Sequence, residues 1–177
     1  KSDNTPHEFN IGGKRVECYF SPSDNVNNKL INTINSADNS IYFASMVITR
    51  FDLSAAITDK VALGINAYGI THSSSGTLTW NDLVTGMLPG HMLANADSAN
   101  TIMHHKYLIV DQENNASDPQ VWTGSHNWSN NANNKNDENT VIIHDQNVAN
   151  QFYQEFYARF IAYGGNIVTS TLHNQTD

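Results

Sequence analysis

Apolar residues recur along the chain at two spacings, and the change between these spacings predicts strands and helices in turn. A period of two residues is typical of strands, and a period of three to four is typical of helices. Strands are predicted at Arg15–Phe20, Ser40–Ile48, Ile65–Ile70, Met103–Val110, Gln120–Thr123 and Glu138–His144. Helices are predicted from Asp24 to Asn35, from Asp52 to Leu63, and from Asp145 to about Tyr163, with a short helix or loop at His126–Lys135.

The ends of the predicted helices carry residues that favour helix termini. Asp24 and Asp145 stand where an N-cap is expected, and Gly64 and Gly164 stand where a helix stops. The last helix carries an apolar stripe at helical spacing, formed by Val148, Phe152, Phe156 and Phe160. We interpret this stripe as core packing rather than as a ligand site.

The order of elements up to residue 70 is β-α-β-α-β, which is typical of a sheet with right-handed crossovers. The sequence therefore predicts an α/β fold with a mostly parallel or mixed β-sheet sandwiched by helices. We expect a single domain over residues 15–170, an N-terminal arm over residues 1–14 and a C-terminal tail over residues 171–177. Residues 71–100 are polar and break the rhythm, and we expect this excursion to shape a substrate cleft.

Composition excludes several classes of protein. The 177 residues contain 17 acidic and 9 basic side chains and one cysteine, with a net charge of −8. No apolar run is long enough for a membrane helix, and one cysteine cannot form a disulfide scaffold or a zinc finger. The acidic balance disfavours broad electrostatic capture of nucleic acid. Few basic residues and many Asn, Ser and Thr indicate a secreted or periplasmic protein, and a start at Lys1 indicates a mature form or a segment of a longer chain.

The segment around His104 carries the most informative chemistry. Side chains alternate in a strand, so His104 and Lys106 are expected on one face and His105 and Tyr107 on the other. An imidazole is a nucleophile that can be neutral near pH 7, and an ammonium group binds the oxygens of phosphate. We interpret His105 as a packed or hydrogen-bonded residue. The remaining histidines in or beside polar loops, His72, His91, His126 and His144, are expected at the surface.

Two further groups of polar residues flank the next strands. Ser125 and Asn127 follow Gly124, where glycine allows close approach of the backbone, and Glu138 begins the strand after them. A carboxylate at Glu138 is suited to accept an imidazole N–H and so to orient a histidine. These residues are expected near one end of the sheet, together with His104 and Lys106.

This pattern resembles the phospholipase D superfamily, and in particular its nuclease-like members with a single motif. The superfamily signature is His-x-Lys-x4-Asp, then Gly-Ser-x-Asn, then an Asn-x-Glu element. Here it is formed by His104, Lys106 and Asp111, then by Gly124, Ser125 and Asn127, then by Asn136 and Glu138. The resemblance implies a phospholipase D-like fold over most of the chain, from about Val16 to Ile161.

The resemblance also implies a two-step phosphoryl transfer that needs no metal and no cofactor. His104 would attack phosphorus and form a phosphohistidine, while the histidine of a second motif protonates the leaving oxygen and later activates water. Lys106, Ser125 and Asn127 would bind the phosphate, and Glu138 would orient a histidine. Asp111, at the buried end of its strand, is expected to support the structure. Because only one motif is present, the second would come from a homodimer mate or from a longer parent chain.

Several alternatives remain open from the sequence. Nucleic acid is the expected phosphodiester substrate, and a phospholipid is the alternative, for which an apolar rim near the site would be expected. A different class of function is a noncatalytic binding or dimerisation module, although His104 and Lys106 are both intact. A zinc site built from His104, His105, His126 and Asp111 is disfavoured because Lys106 would repel a cation.

Overall fold

A single mixed sheet of eight strands forms the centre of the chain. The computed structural model describes residues 5–73, 79–87, 90–93 and 102–167. The strands are β1 (Glu8–Ile11), β2 (Lys14–Ser21), β3 (Ser40–Ser45), β4 (Asn66–Thr71), β5 (His91–Leu93), β6 (Lys106–Val110), β7 (Gln120–Gly124) and β8 (Glu138–His144). Their spatial order is β1-β2-β8-β7-β6-β3-β4-β5. The described helices are α1 (Val26–Asn35), α2 (Phe51–Ala62), α3 (Trp80–Gly86), α4 (Asn130–Asn134) and α5 (Gln146–Ala162).

The α/β class is confirmed, but the sheet is mixed rather than mostly parallel. Only β3–β4 and β4–β5 pair in parallel, and the other five neighbouring pairs are antiparallel. A parallel pair needs a crossover, and α2 and α3 provide the two crossovers here. Of the antiparallel pairs, β1–β2, β6–β7 and β7–β8 join strands that are consecutive in the chain, whereas β2–β8 and β3–β6 join strands that are distant in sequence.

Helices cover the sheet on both faces, as the sequence predicts. On one face, α1 and α2 pack over a core that contains Leu30, Leu53, Phe43 and Trp122. On the other face, α5 packs against β3, β6 and β7. The aromatic stripe of α5 is core, with Tyr153, Phe156 and Phe160 among its fully buried residues. Among the described helices, none combines the length and the apolar character that spanning a membrane requires.

Three boundaries differ from the sequence prediction. Part of the predicted N-terminal arm joins the sheet, because β1 forms a hairpin with β2 across Gly12 and Gly13, both at positive φ. The predicted strand from Met103 begins only at Lys106. The predicted N-cap at Asp24 is wrong: its carboxylate instead accepts a hydrogen bond of 2.6 Å from the backbone N–H of Phe20. The predicted C-terminal tail lies outside the described residues.

The predicted cap at Asp145 and the predicted stop at Gly64 are confirmed. The Asp145 carboxylate accepts the Val148 N–H at 2.9 Å, and Gly64 follows α2 at φ 94°. The excursion over residues 71–100 contains α3 and β5, so it contributes an edge strand to the sheet. Its Met87 is buried in the core.

Asp111 fixes the end of the sheet opposite His104. Its fully buried carboxylate accepts three backbone hydrogen bonds of 2.8–2.9 Å, from Asp38, Asn39 and Ser40. These bonds join the end of β6 to the turn that enters β3. Asp111 also lies at φ 54°, a backbone region that Asp and Asn adopt more readily than other non-glycine residues.

Replacing Asp111 with alanine should destabilise the fold strongly. The change removes the acceptor of three backbone N–H groups, of which that of Ser40 is buried, and places alanine at positive φ. We therefore expect a loss of about 3 kcal/mol in the free energy of unfolding. Urea denaturation measures this loss. Asp111→Asn should cost less, because asparagine tolerates the backbone and keeps an acceptor oxygen. The exposed neighbour Asp38 provides the control, and an effect of Asp111→Ala no larger than that of Asp38→Asn contradicts this account.

Candidate active site

The register of three antiparallel strands brings the sequence-predicted site residues to one end of the sheet. Lys106 begins β6 and lies opposite Ser45 of β3. Gly124 ends β7 and lies opposite Thr140 of β8. Because β6 starts where β7 ends and β8 starts, the groups at positions 104–106, 125–127 and 138 gather at the same edge, as predicted.

Lys106 is a buried cation with few partners. Its side chain is on the α1–α2 side of the sheet, and the residue is 6% exposed. The ammonium donates a hydrogen bond of 2.7 Å to the His104 carbonyl oxygen and lies 4.0 Å from the Met46 sulfur. Burial lowers the pKa of Lys106, and the nearby Glu138 carboxylate opposes this shift. No described carboxylate forms a salt bridge with Lys106, so its charge remains available to an anion.

His104 lies in the extended segment just before β6, and its side chain is exposed. Its imidazole forms no hydrogen bond with the described part of the chain. His104 lines a cavity of about 390 Å³ at the edge of the sheet, together with His105, Tyr107 and Phe152. An unpaired, accessible imidazole beside a buried ammonium group has the chemistry of a nucleophile next to an anion-binding cation.

Ser125 and Glu138 form the most ordered polar pair of the site. The Ser125 hydroxyl donates a hydrogen bond of 2.6 Å to one Glu138 oxygen and accepts one of 3.1 Å from the Asn139 N–H. Asn136 donates to the other Glu138 oxygen at 3.0 Å. The expected bond from Glu138 to an imidazole is not formed among the described residues, because both carboxylate oxygens already accept from these neighbours and His104 lies outside the strand.

Two features of the Gly124–Asn127 segment require these residue types. A Cβ at Gly124 would lie 2.1 Å from the Asn139 carbonyl oxygen, so only glycine allows β7 to approach β8 at this point. Asn127 is half-buried, and its side-chain oxygen has no protein partner among the described residues. The amide is therefore a polar group at the site edge that the fold itself does not use.

His126 is buried, which corrects the expectation of a surface histidine. It is fully enclosed and contacts Trp122 edge-on, with ring centroids 5.9 Å apart. Burial lowers the pKa of His126 to about 4. The polar composition of this loop gave no signal of the burial. His144 is also covered, and its ring contacts Glu17 at 2.8 Å and Asp118 at 2.9 Å.

His105 lines the same cavity as His104 and belongs to a cluster that sequence analysis missed. Its imidazole lies 3.3 Å from the Glu155 carboxylate of α5, which also accepts the Tyr107 hydroxyl at 2.6 Å. In the sequence, Glu155 is recognisable only as a residue of the last predicted helix. Its contact with His105 arises from the packing of that helix against the sheet, which local sequence patterns do not show.

The zinc alternative is not supported by the structure. Among residues 5–73, 79–87, 90–93 and 102–167, no group of three or more His, Cys, Asp or Glu side chains is arranged to hold a metal ion. Asp111 follows the far end of β6, His126 is enclosed beside Trp122, and His105 contacts Glu155. The four suggested ligands therefore do not converge.

Comparison with known proteins identifies a family with this arrangement. The profile of the family described as cardiolipin synthase, PLD-like domain, matches residues 30–160. A phospholipase D from Rickettsia conorii is 26% identical over 84% of this chain and 71% of its own length. A mitochondrial cardiolipin hydrolase from Chlamydomonas reinhardtii is 23% identical over 82% of this chain, which spans 62% of that protein. The crystal structure of Nuc, a phospholipase D family member from Salmonella typhimurium, matches with a TM-score of 0.68 and 25% identity over 82% of this chain and 93% of that one.

Buried His126 should make the fold sensitive to acid. Its pKa in the folded state, about 4, lies below its ordinary value of 6.5, so the unfolded chain takes up the proton first as the pH falls. We expect His126 alone to remove about 2 kcal/mol of stability between pH 7 and pH 5. Urea denaturation of the wild type and of His126→Phe at both pH values tests this. An equal loss of stability in the two proteins contradicts it.

Proposed function

The chain belongs to the phospholipase D superfamily of phosphodiesterases, and on that premise we propose that it is a nuclease-like hydrolase that acts through a phosphohistidine intermediate. The observation that carries the proposal is an accessible His104 imidazole, without a hydrogen-bond partner among the described residues, on a residue whose backbone oxygen binds the buried Lys106 ammonium. A buried cation stabilises a developing negative charge more strongly than a cation in water does, because fewer solvent dipoles screen it.

The first step forms a bond from a His104 ring nitrogen to phosphorus and breaks the bond from phosphorus to the leaving oxygen. A second imidazole, in its protonated form, donates a proton to that oxygen. In the second step this imidazole takes a proton from water, whose oxygen displaces the His104 nitrogen. Lys106 and Asn127 contact the nonbridging oxygens, and Glu138 holds Ser125 at the phosphate.

The Lys106 ammonium moves little in this mechanism. Its present acceptor is the backbone oxygen of His104, only two residues away, so a bound phosphate oxygen can replace that acceptor without rearranging the strand. Burial lowers the pKa of Lys106, and a bound dianionic phosphorane would favour the charged ammonium in the same way that Glu138 does. The same Lys106 ammonium therefore both binds the phosphate and stabilises its negative charge during the reaction.

Nucleic acid is the proposed substrate because the likeness extends over nearly the whole of Nuc. Phospholipid is a second candidate, which a specific observation favours. Ile102, two residues before His104, is 66% exposed and lines a cavity together with His104, so a large apolar side chain projects beside the site. This is the apolar rim that a lipid enzyme would show, and two of the relatives carry phospholipase or cardiolipin hydrolase names.

We infer that the second imidazole comes from a second copy of the chain. On the α5 side of the sheet, α5 covers β3, β6 and β7 but not the outer strands. The apolar side chains left there on β1, β2 and β8 are called the open sheet face, and they are Phe9, Ile11, Val16, Phe20, Val141 and Ile143. Phe9, Ile11 and Phe20 are 44%, 61% and 48% exposed.

The open sheet face is continuous with the site. Phe20 lies opposite Asn139, whose N–H donates to Ser125. An apolar surface of this kind on a monomer indicates an interface, and a twofold contact that covers it would also bring two sites together. One dimer contact would then bury the open sheet face and also bring in the second histidine.

Hydrolysis of bis(p-nitrophenyl) phosphate in excess EDTA should proceed in the wild type and fall more than about 1,000-fold in His104→Ala. The exposed position of His104 means that the variant should keep its fold, which circular dichroism checks. Activity that the chelator abolishes contradicts the histidine mechanism. Absence of turnover in a dimeric sample would instead favour the noncatalytic module.

The wild type and His104→Ala also serve to identify the natural substrate. Single-stranded DNA should be cleaved in EDTA by the wild type alone, while vesicles of phosphatidylglycerol should release no headgroup. Headgroup release without DNA cleavage would overturn the nuclease proposal in favour of the lipid candidate, and Ile102→Ser should then weaken the reaction on vesicles.

Phe9→Lys should dissociate the proposed dimer and reduce activity, whereas Leu63→Lys should do neither. Leu63 is also exposed, at 78%, but lies at the end of α2, away from the open sheet face. Light scattering gives the mass of each variant.

If catalysis needs the His104 rings of both subunits, an equilibrated equal mixture of wild type and His104→Ala should show about half of the summed activity. A monomeric, fully active wild type contradicts the dimer, and an inactive monomer would point to a longer parent chain.

A further inference from the structure

Glu155 on α5 binds three groups at once. Its carboxylate accepts the Tyr107 hydroxyl at 2.6 Å and the Arg159 Nε–H at 3.0 Å, and it lies 3.3 Å from the His105 Nε2 atom. Burial opposes ionisation of this carboxyl, but the hydrogen bonds from His105 and Tyr107 lower the pKa of Glu155 to about 2. The carboxylate is therefore charged throughout the neutral range.

These contacts join α5 to the segment that carries His104. Residues 102–105 are extended but lie outside β6, so regular strand pairing does not hold them. Two backbone contacts fix the segment: the Met46 N–H donates to the His105 carbonyl at 2.9 Å, and the Lys106 ammonium binds the His104 carbonyl. The His105 side chain provides a third contact, with Glu155 of α5.

The His104 ring has no hydrogen-bond partner of its own among the described residues, so the backbone on either side of it sets its direction. His105 is its immediate neighbour, and the ring of His105 also packs against Tyr107 with centroids 5.3 Å apart. His104, His105, Tyr107 and Glu155 all line the same cavity at the sheet edge. A change in the contacts that fix the His105 side chain therefore also changes the position of His104.

We propose that Glu155 is a positioning residue for His104, which acts by holding His105 and Tyr107 against α5. This inference rests on the proposed function, since it assigns His104 the role of nucleophile. Among the described residues, Glu155 forms hydrogen bonds and ion pairs with Tyr107, Arg159 and His105 but not with His104 or Lys106, so its effect passes through the backbone of the segment. An error of about 1 Å in the position of a reacting group is enough to slow a reaction by orders of magnitude.

The kinetic test compares Glu155→Gln with Glu113→Gln on bis(p-nitrophenyl) phosphate. Glu113 is a matched control, because its carboxylate also accepts a side-chain hydroxyl, that of Ser40 at 2.6 Å, but lies beyond the other end of β6. We expect Glu155→Gln to lower kcat about tenfold or more while KM stays within about twofold, since ground-state binding is unchanged. Glu113→Gln should leave both constants unchanged.

The route through His105 is tested by a double-mutant cycle. His105→Gln should lower kcat to a similar extent, and the double variant should be no slower than the slower single variant. His105 is exposed, so this variant also serves if Glu155→Gln does not fold. Fully additive losses, an unchanged kcat, or a loss confined to KM would each overturn the proposal.

An NMR measurement separates this proposal from the proposed function. The Cε1–H resonance of the His104 ring, assigned by its loss in His104→Ala, should shift in Glu155→Gln and in His105→Gln but not in Glu113→Gln. This readout does not require turnover. A wild type without phosphodiesterase activity would refute the proposed function, whereas an unmoved His104 resonance would refute the positioning role.

Discussion

The antiparallel register of β6, β7 and β8 is the constraint on which the site depends. It places the first residue of β6 beside the last residue of β7 and the first residues of β8. Because side chains alternate, a slip of one residue would move Lys106 and Glu138 to opposite faces of the sheet. Gly124 allows the close contact with β8 that this register requires, and the three bonds to Asp111 fix the other end of β6.

Much of the fold and the grouping of the site could be predicted from the sequence because both depend on local patterns. Helical spacing, the cap at Asp145 and the stop at Gly64 are properties of neighbouring residues, and all appear in the structure. The direction of strand pairing is different. It depends on which distant strands become neighbours, so the β-α-β-α-β start left both a mostly parallel and a mixed sheet open, and the structure has the mixed one, with five antiparallel pairs.

The parts of the site that sequence analysis missed are those that arise from tertiary packing. His126 stands in a polar, asparagine-rich stretch, yet Trp122 and the surrounding core enclose it. Glu155 lies about 50 residues after His105 in the sequence and reaches it only because α5 returns to the site end of the sheet. The net charge of −8 gave no sign of the local cation at Lys106, because a single buried ammonium group is invisible in a sum over the chain.

We expect His104 to become covalently bonded to phosphorus during turnover. Mass spectrometry of the protein mixed with bis(p-nitrophenyl) phosphate in EDTA, quenched in alkali within the first turnover and digested, measures this bond directly. We expect a p-nitrophenylphosphoryl adduct on the peptide that contains His104, absent in His104→Ala. Product formation at the same rate with an unmodified His104 peptide would contradict it, because water would then attack phosphorus directly.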